Sequence, residues 1–395
     1  MTATNRQQTS ARTALVFGLA LLAYLTSSGL GHTAYDNYVR LAQAFLHGSV
    51  SIPDPGPGID ALHYGSRFYI IEGPLPALFV LPAVMVFGVN ANQSFVCVVC
   101  GAVAVTATDI VLGRMEVSQY ARNATLAFVA VGTVLWWCTA FGAVWMYAHV
   151  AAVMLAMLVL AEMYGKRRAW LIGFLLVAAA LSRFPLVLSA PPLIWWVLSE
   201  SVPSERARRF ASLCAGVAPL LLLYVAYNVA RWGVPSDIGY TVWYHQDQVG
   251  QPTGSPFRLE YLPFNLYSLV MLAPEFSRAF PWFRPTSFGV SLTLTSPALA
   301  IALAGLRRNR ESVALGTAAV LVALPSLFYY VNGFEQFGMR HSLDFLPFLI
   351  PLVGRGLERV PRIFAASSIG YSVAANAYGM WYSWAYHAYT VVPRF

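Results

Sequence analysis

Apolar residues dominate this chain in long blocks, and most charged residues fall in the stretches between them. The first block, Thr13 to Leu30, holds no charge and is long enough to cross a hydrocarbon core of about 30 Å. It has no small-residue cleavage site followed by a soluble domain, so it reads as a first span and not as a removed signal. Two further blocks follow at 75–88 and 94–112. The earlier one, "LPALFVLPAVMVFG", is the weaker: about 14 helical residues reach only about 21 Å, and Pro74, Pro76 and Pro82 interrupt it. It predicts a juxtamembrane helix lying on, or dipping into, one face.

Between the first two blocks the period changes. In "AYDNYVRLAQAFLH" (34–47), Tyr35, Tyr38, Val39, Ala42, Phe45 and Leu46 follow helical spacing, while Asp36, Arg40, Gln43 and His47 line the other face. This predicts an interfacial amphipathic helix closed by Gly48, with Thr33-x-x-Asp36 fitting a capping pattern. The following "IDALHYGSRFYIIEG" predicts a short hairpin turning at Tyr64-Gly65-Ser66 and delivering Glu72 to the Pro-rich helix.

Two later blocks are too short for the distance they must cover. "AWLIGFLLVAAALSRFPLVLSAPPLIWWVLS" has to go out and return in about 31 residues, where two full spans need about 40. It must turn near Arg183-Phe184-Pro185 below the surface, which is tolerated only beside protein or a water-filled cavity. "RHSLDFLPFLIPLVGR" likewise descends from Arg340 to Arg355 in about 15 residues.

Composition places the whole chain in one class: 58% of residues are hydrophobic and 11% charged, against about 25% charged in soluble domains. The expectation is an all-α polytopic membrane protein, a single integral membrane domain over 1–395. The net charge of +8 does not signal nucleic acid, because the basic residues fall in short clusters between apolar blocks, as in loops held on the cytoplasmic side. Those clusters lie at Arg6/Arg12, Arg114/Arg122, Lys166-Arg167-Arg168, Arg206/Arg208/Arg209, Arg307/Arg308/Arg310 and Arg355/Arg359/Arg362. Placing all six inside predicts about eleven crossings, counted from the block pattern, with the N-terminus inside and the C-terminus outside. Outer loops then fall at 31–93, 142–148, 229–288 and 332–341, and the His residues gather at the outer side. Cys97, Cys100, Cys138 and Cys214 all lie within apolar blocks and read as packing.

Several residues can carry chemistry. Asp36 reads both as a helix cap and as a carboxylate fixed in position, and Glu72 as an interface charge or a site residue. Arg183 and Arg340 sit at a depth where a guanidinium pairs with an anion or an internal carboxylate. Internal candidates are Glu335 or Asp344 for Arg340, and Asp36 for Arg183. His149, in "WMYAHVAAVM", can be a core histidine, a metal ligand or a substrate contact. The loop 229–288 is rich in Pro, Gly and aromatics, as in an ordered interfacial cap.

The ordered set "YDNYVRLAQAFLHG", "GSRFYIIEGPLPALFVLP", "WMYAHVAAVMLAML", "LSRFPLVLSAPP", "YNVARWGVPSDIGY" and "QFGMRHSLDFLPFLIPLVGRG" resembles the GT-C membrane glycosyltransferases. In particular it is similar to bacterial relatives of the dolichyl-phosphate-mannose protein mannosyltransferases. The resemblance implies an inverting enzyme in the plasma (inner) membrane that moves a sugar from a polyprenyl-phosphate donor to a glycan, lipid or protein acceptor on the outer face. Asp36 would be its base, Arg340 and Arg183 would face the donor phosphate, and Glu72, His149, Tyr240 and His341 would line the substrate pocket. Relatives often carry an acid at the position of His149, so a divalent cation stays an open question, as does oligomeric state. The rival class is a non-enzymatic transporter or flippase of lipid-linked saccharides, expected to show two similar halves and midplane charges.

Overall fold

The computed structural model describes residues 3–56 and 59–392, with side chains from Ser10 onward. Helix α1 (Ala3–Ser28) is followed by α2 (Asn37–Leu46), the hairpin β1 (Ala61–Tyr64) and β2 (Arg67–Ile70), α3 (Leu75–Phe87) and α4 (Gln93–Arg114). Next come α5 (Gln119–Val131), α6 (Leu135–Phe141), α7 (Val144–Met163), α8 (Ala169–Ser182), α9 (Ala190–Ser199) and α10 (Arg206–Trp232). A long connection carries α11 (Gly239–Gln246), α12 (Leu262–Val270) and the short strands β3 (Glu275–Phe276) and β4 (Phe283–Arg284). The chain finishes through α13 (Leu292–Thr295), α14 (Ile301–Gly305), α15 (Arg310–Phe328), α16 (Ser342–Gly356) and α17 (Arg362–Tyr386).

Among the described residues five helices are long and apolar enough to cross a membrane, or six if the bent pair α5 and α6 is one span. The all-α membrane class therefore stands, while a count of eleven crossings exceeds what helix length and composition establish. The central helix is α7, apolar on every side and almost wholly enclosed by α4, α8 and α16, as expected of a helix without a polar face. By contrast, α1 exposes Leu15, Leu19 and Leu22, and α10 exposes Leu221, Leu222 and Leu223. Exposed leucines on helices of which little is buried within the protein match a lipid boundary.

The basic clusters converge. Arg12 on α1 and Arg122 on α5 both bind the buried Asp109 of α4, Arg12 at 2.8 Å. Arg114 donates to the carbonyl of Ala161, Arg167 pairs with Glu200 at 2.6 Å, and Arg310 donates to the carbonyl of Ser199. Glu358 accepts from the backbone of Ser118, and Arg355 pairs with Glu311. These bonds tie one end of the helices into a continuous belt.

At the other end, the amide of Asn92 donates to the carbonyl of Leu30 at 3.2 Å, so the excursion 31–92 leaves and returns at one place. Helix α3, an apolar helix shorter than the candidate spans, lies within it. The hairpin turns through Gly65, whose φ of +62° suits the first central position of a two-residue turn. Helix α8 ends at Ser182 and Arg183 is extended before the 3-10 turn Phe184–Ser189, the break expected there.

Two expectations need correction. The stretch 142–148 is mostly helix, because α7 begins at Val144 immediately after Gly142. Asp36 occupies the N-cap position of α2, but its side chain makes no cap hydrogen bond; Thr33 instead accepts from the backbone of Tyr35 at 3.1 Å. Arg40, one helical turn on, offers a charge-assisted bond that outcompetes a backbone N–H.

Candidate functional site

The site is assembled around the N-terminal end of α7. Gln93 latches the preceding pieces together: its amide donates to the carbonyls of Tyr35 (3.1 Å) and Gly142 (2.8 Å), and its oxygen accepts from the backbone of Tyr38 (3.1 Å). The backbone of Val144 donates to Tyr35 as well, at 3.1 Å. The segment bearing Asp36 is thereby fixed against the start of α7, where Trp145 stacks on Tyr35 with ring centroids 4.8 Å apart.

Trp145 is shared. The Arg340 guanidinium lies 5.9 Å over its ring, and the carboxyl of Asp60 lies against its indole. Asp60 is positioned by the hairpin, since its backbone carbonyl accepts from Asn37 at 2.9 Å and it directly precedes Ala61, which pairs with Ile70. Glu72 leaves the same open end of the hairpin two residues after Ile70. Arg231 of α10 secures that strand: it donates to the Ile70 carbonyl at 3.2 Å while sandwiched against Tyr227 and Trp232 at 4.0 and 4.5 Å.

The inward walls carry the cations. Arg183 binds Asp344 of α16 with two bonds, Nε to Oδ1 at 3.2 Å and Nη2 to Oδ2 at 2.9 Å. His149 Nδ1 shares the same Oδ1 at 2.8 Å, and its ring meets His341 edge-on at 5.3 Å. Tyr240 packs on Phe184, beside Arg183, with centroids 5.8 Å apart. Arg340 is different: among the described residues it forms no salt bridge. Its bonds go to the Phe334 carbonyl at 2.7 Å and the Gln336 amide oxygen at 3.3 Å, and its Nε is buried without a partner. Burial first, and then the neighbouring Arg183 charge, push Arg340 down to about 10, against the partial opposition of the Asp60 and Asp344 carboxylates.

Buried polar atoms without partners cluster here: Arg340 Nε, His149 Nε2, His341 Nδ1, Glu72 Oε2 and the Tyr38 hydroxyl. Such atoms cost free energy unless something satisfies them, and native proteins hold few. Burial first, and then the Asp60 charge, raise Glu72 to about 8. Burial and Asp247 likewise raise Asp60 to about 6.

Of the expected site residues, Arg183, Arg340, His149, His341, Glu72 and Tyr240 share this buried space. The charge partner of Asp36 is Arg40, at 2.7 Å, with a quarter of its side chain exposed; it joins the cluster through Tyr35 and Trp145. Arg183 pairs with Asp344 and not with Asp36, while Glu335, one anticipated partner of Arg340, accepts from the backbone of Thr390. Sequence reasoning did not find Asp60, Tyr38 or Trp145. The hairpin register was the available signal for Asp60, because pairing Ala61 with Ile70 carries Asp60 alongside the strand leading to Glu72. Among the described residues no three His, Cys, Asp or Glu side chains are grouped to hold a metal ion. Comparison with protein families, curated proteins and solved structures finds no match for the chain.

Proposed function

We propose that the chain is an integral membrane glycosyltransferase that moves a sugar, with inversion, from a polyprenyl-phosphate donor to a glycan, lipid or protein acceptor. The observation carrying this reading is Arg340: a buried guanidinium with no salt bridge among the described residues and an orphaned N–H, next to an arginine already neutralised by Asp344. A phosphate oxygen satisfies both the charge and the bond. The basic belt faces the cytoplasm in this reading, about eleven passes connect the two faces by the block pattern, and the site opens outward.

The chemistry follows from the arrangement. The acceptor hydroxyl oxygen attacks the anomeric carbon, the bond from that carbon to the phosphate oxygen breaks, and polyprenyl phosphate leaves with the electron pair. Arg340, supported by Arg183, stabilises the departing phosphate. Asp36, held by Arg40, takes the acceptor proton. His149, His341 and Tyr240 supply polar edges to the sugar pocket.

Purified protein given radiolabelled polyprenyl-phosphate mannose, glucose or arabinose with membrane extract should consume at least one donor. Asp36→Asn should slow that turnover by about 100-fold or more, the scale of a lost general base. Absence of turnover with every donor, or an Asn variant as active as wild type, would sink the reading. Passage of intact donor across vesicles without turnover would favour a carrier.

A further inference from the structure

The open end of the β1–β2 hairpin holds a polar surface that the transfer chemistry does not use. Glu72 is 6% exposed and its Oε2 has no partner. Tyr38, on the buried face of α2, is wholly enclosed and its hydroxyl is also without one. The two groups interact electrostatically with each other and with Arg183, and Asp60 stands beside Glu72. Two unsatisfied oxygens from separate elements, each more than nine-tenths buried, fit a partner that both donates and accepts.

We propose that Glu72 and Tyr38, backed by Asp60, form a subsite that reads hydroxyl groups of a neutral sugar. This rests on the glycosyltransferase reading for its place beside the phosphate. The choice of ligand follows from charge and valence. Arg183 and Arg340 already face this space, so a third cation on the ligand would be repelled by two buried guanidiniums. A carboxylate on the ligand would meet the Asp60 charge. Hydroxyls escape both penalties: each donates to one oxygen and accepts from the next, and Tyr38 supplies an O–H of its own. Glu72 acts here as a carboxylic acid, donating as well as accepting, the form its burial favours. Asp60 contributes negative charge that keeps the Glu72 proton in place. The hydroxyls can belong to the donor sugar or to a sugar acceptor.

Binding to the purified full-length protein in detergent separates these cases. The probes are bare polyprenyl phosphate, polyprenyl-phosphate mannose, a polyprenyl-phosphate amino sugar and soluble methyl mannoside. Wild type should bind the mannose lipid about tenfold more tightly than the bare phosphate, the increment expected of one or two buried hydrogen bonds. Glu72→Gln, which keeps a neutral donor and acceptor, should retain most of that increment. Glu72→Leu and Tyr38→Phe should each erase it while leaving the bare phosphate unaffected. The same pattern with methyl mannoside alone would assign the hydroxyls to the acceptor. Loss of bare-phosphate binding in wild type, with methyl mannoside still bound through Glu72 and Tyr38, would remove the phosphate reading and leave the subsite. The subsite is overturned if Glu72→Gln loses as much as Glu72→Leu, if the amino sugar gains the larger increment, or if no sugar adds to binding.

Discussion

Within one buried space, Arg183 and Arg340 have opposite charge balance. Arg183 is answered by a bidentate carboxylate that also holds His149, so removing Asp344 would strand both partners. Among the described residues Arg340 forms no salt bridge: it donates to the Phe334 carbonyl and the Gln336 amide oxygen and faces Trp145, while the Asp60 and Asp344 charges act on it from farther off. That difference is what the proposed phosphate contact rests on. Glu72 carries the complementary consequence for stability. Its pKa rises from an ordinary 4.5 to about 8 in the folded chain, so the folded state binds the proton more tightly than the unfolded one across that window. Stability contributed by the protonated acid is therefore present at low pH and lost as pH climbs through about 8. Asp60, raised to about 6, acts in the same direction over a lower range. The thermal midpoint of the detergent-solubilised protein should fall as pH is raised from about 4.5 to about 8, and Glu72→Gln should flatten that fall. A Gln variant whose midpoint tracks wild type at every pH would show that Glu72 is not held protonated.

At the level of elements, the site depends on how closely loops approach helices. Gly73 follows Glu72 and presses its backbone onto the end of α8, where a Cβ would collide with the carbonyl of Leu181. That contact couples the acid of the hairpin to the arginine two residues beyond Leu181. Gly73→Ala should push the two segments apart, costing about 1–3 kcal/mol of stability, the range for overpacking, and weakening donor binding more than a surface change of equal size. Parallel measurement of thermal midpoint and donor affinity checks this; a variant unchanged in both would mean the hairpin and α8 are not coupled. The Gln93 latch works in the same manner on the other side, holding Asp36 and Tyr38 to the start of α7 through three bonds.

For the molecule as a whole, the polar groups are segregated. One end of the helices is tied by the belt of Arg12, Arg114, Arg122, Arg167, Arg310 and Arg355, and the other carries the hairpin, the α11–α12 connection and the buried site. Such asymmetry in Lys and Arg orients a membrane protein with the basic end in the cytoplasm. In intact cells, a cysteine introduced at Gly254 should react with an impermeant maleimide, and one at Arg308 should react only after permeabilisation. Gly254 and Arg308 are both exposed. The reverse pattern would turn the site toward the cytoplasm and remove the outward-facing reading.

Sequence alone settled the features that depend on near neighbours. Apolar block length gave the membrane class, the 3.6-residue period gave α2, turn chemistry gave the hairpin, and a helix too short to span marked the break at Arg183. The clustering of basic residues anticipated the belt, because like-sided loops must meet at one end of a helical bundle. Tertiary structure alone decided who partners whom. Asp344 could not be assigned to Arg183 and His149 from spacing, since these residues are more than 160 positions apart and meet only where α7, the end of α8 and α16 pack together. Asp60 and Tyr38 were hidden for the same reason: one looks like a loop acid and the other like the apolar face of a helix. Only the strand register and the burial of α2 bring their oxygens beside Glu72, because the energy of a buried polar atom depends on which distant groups surround it.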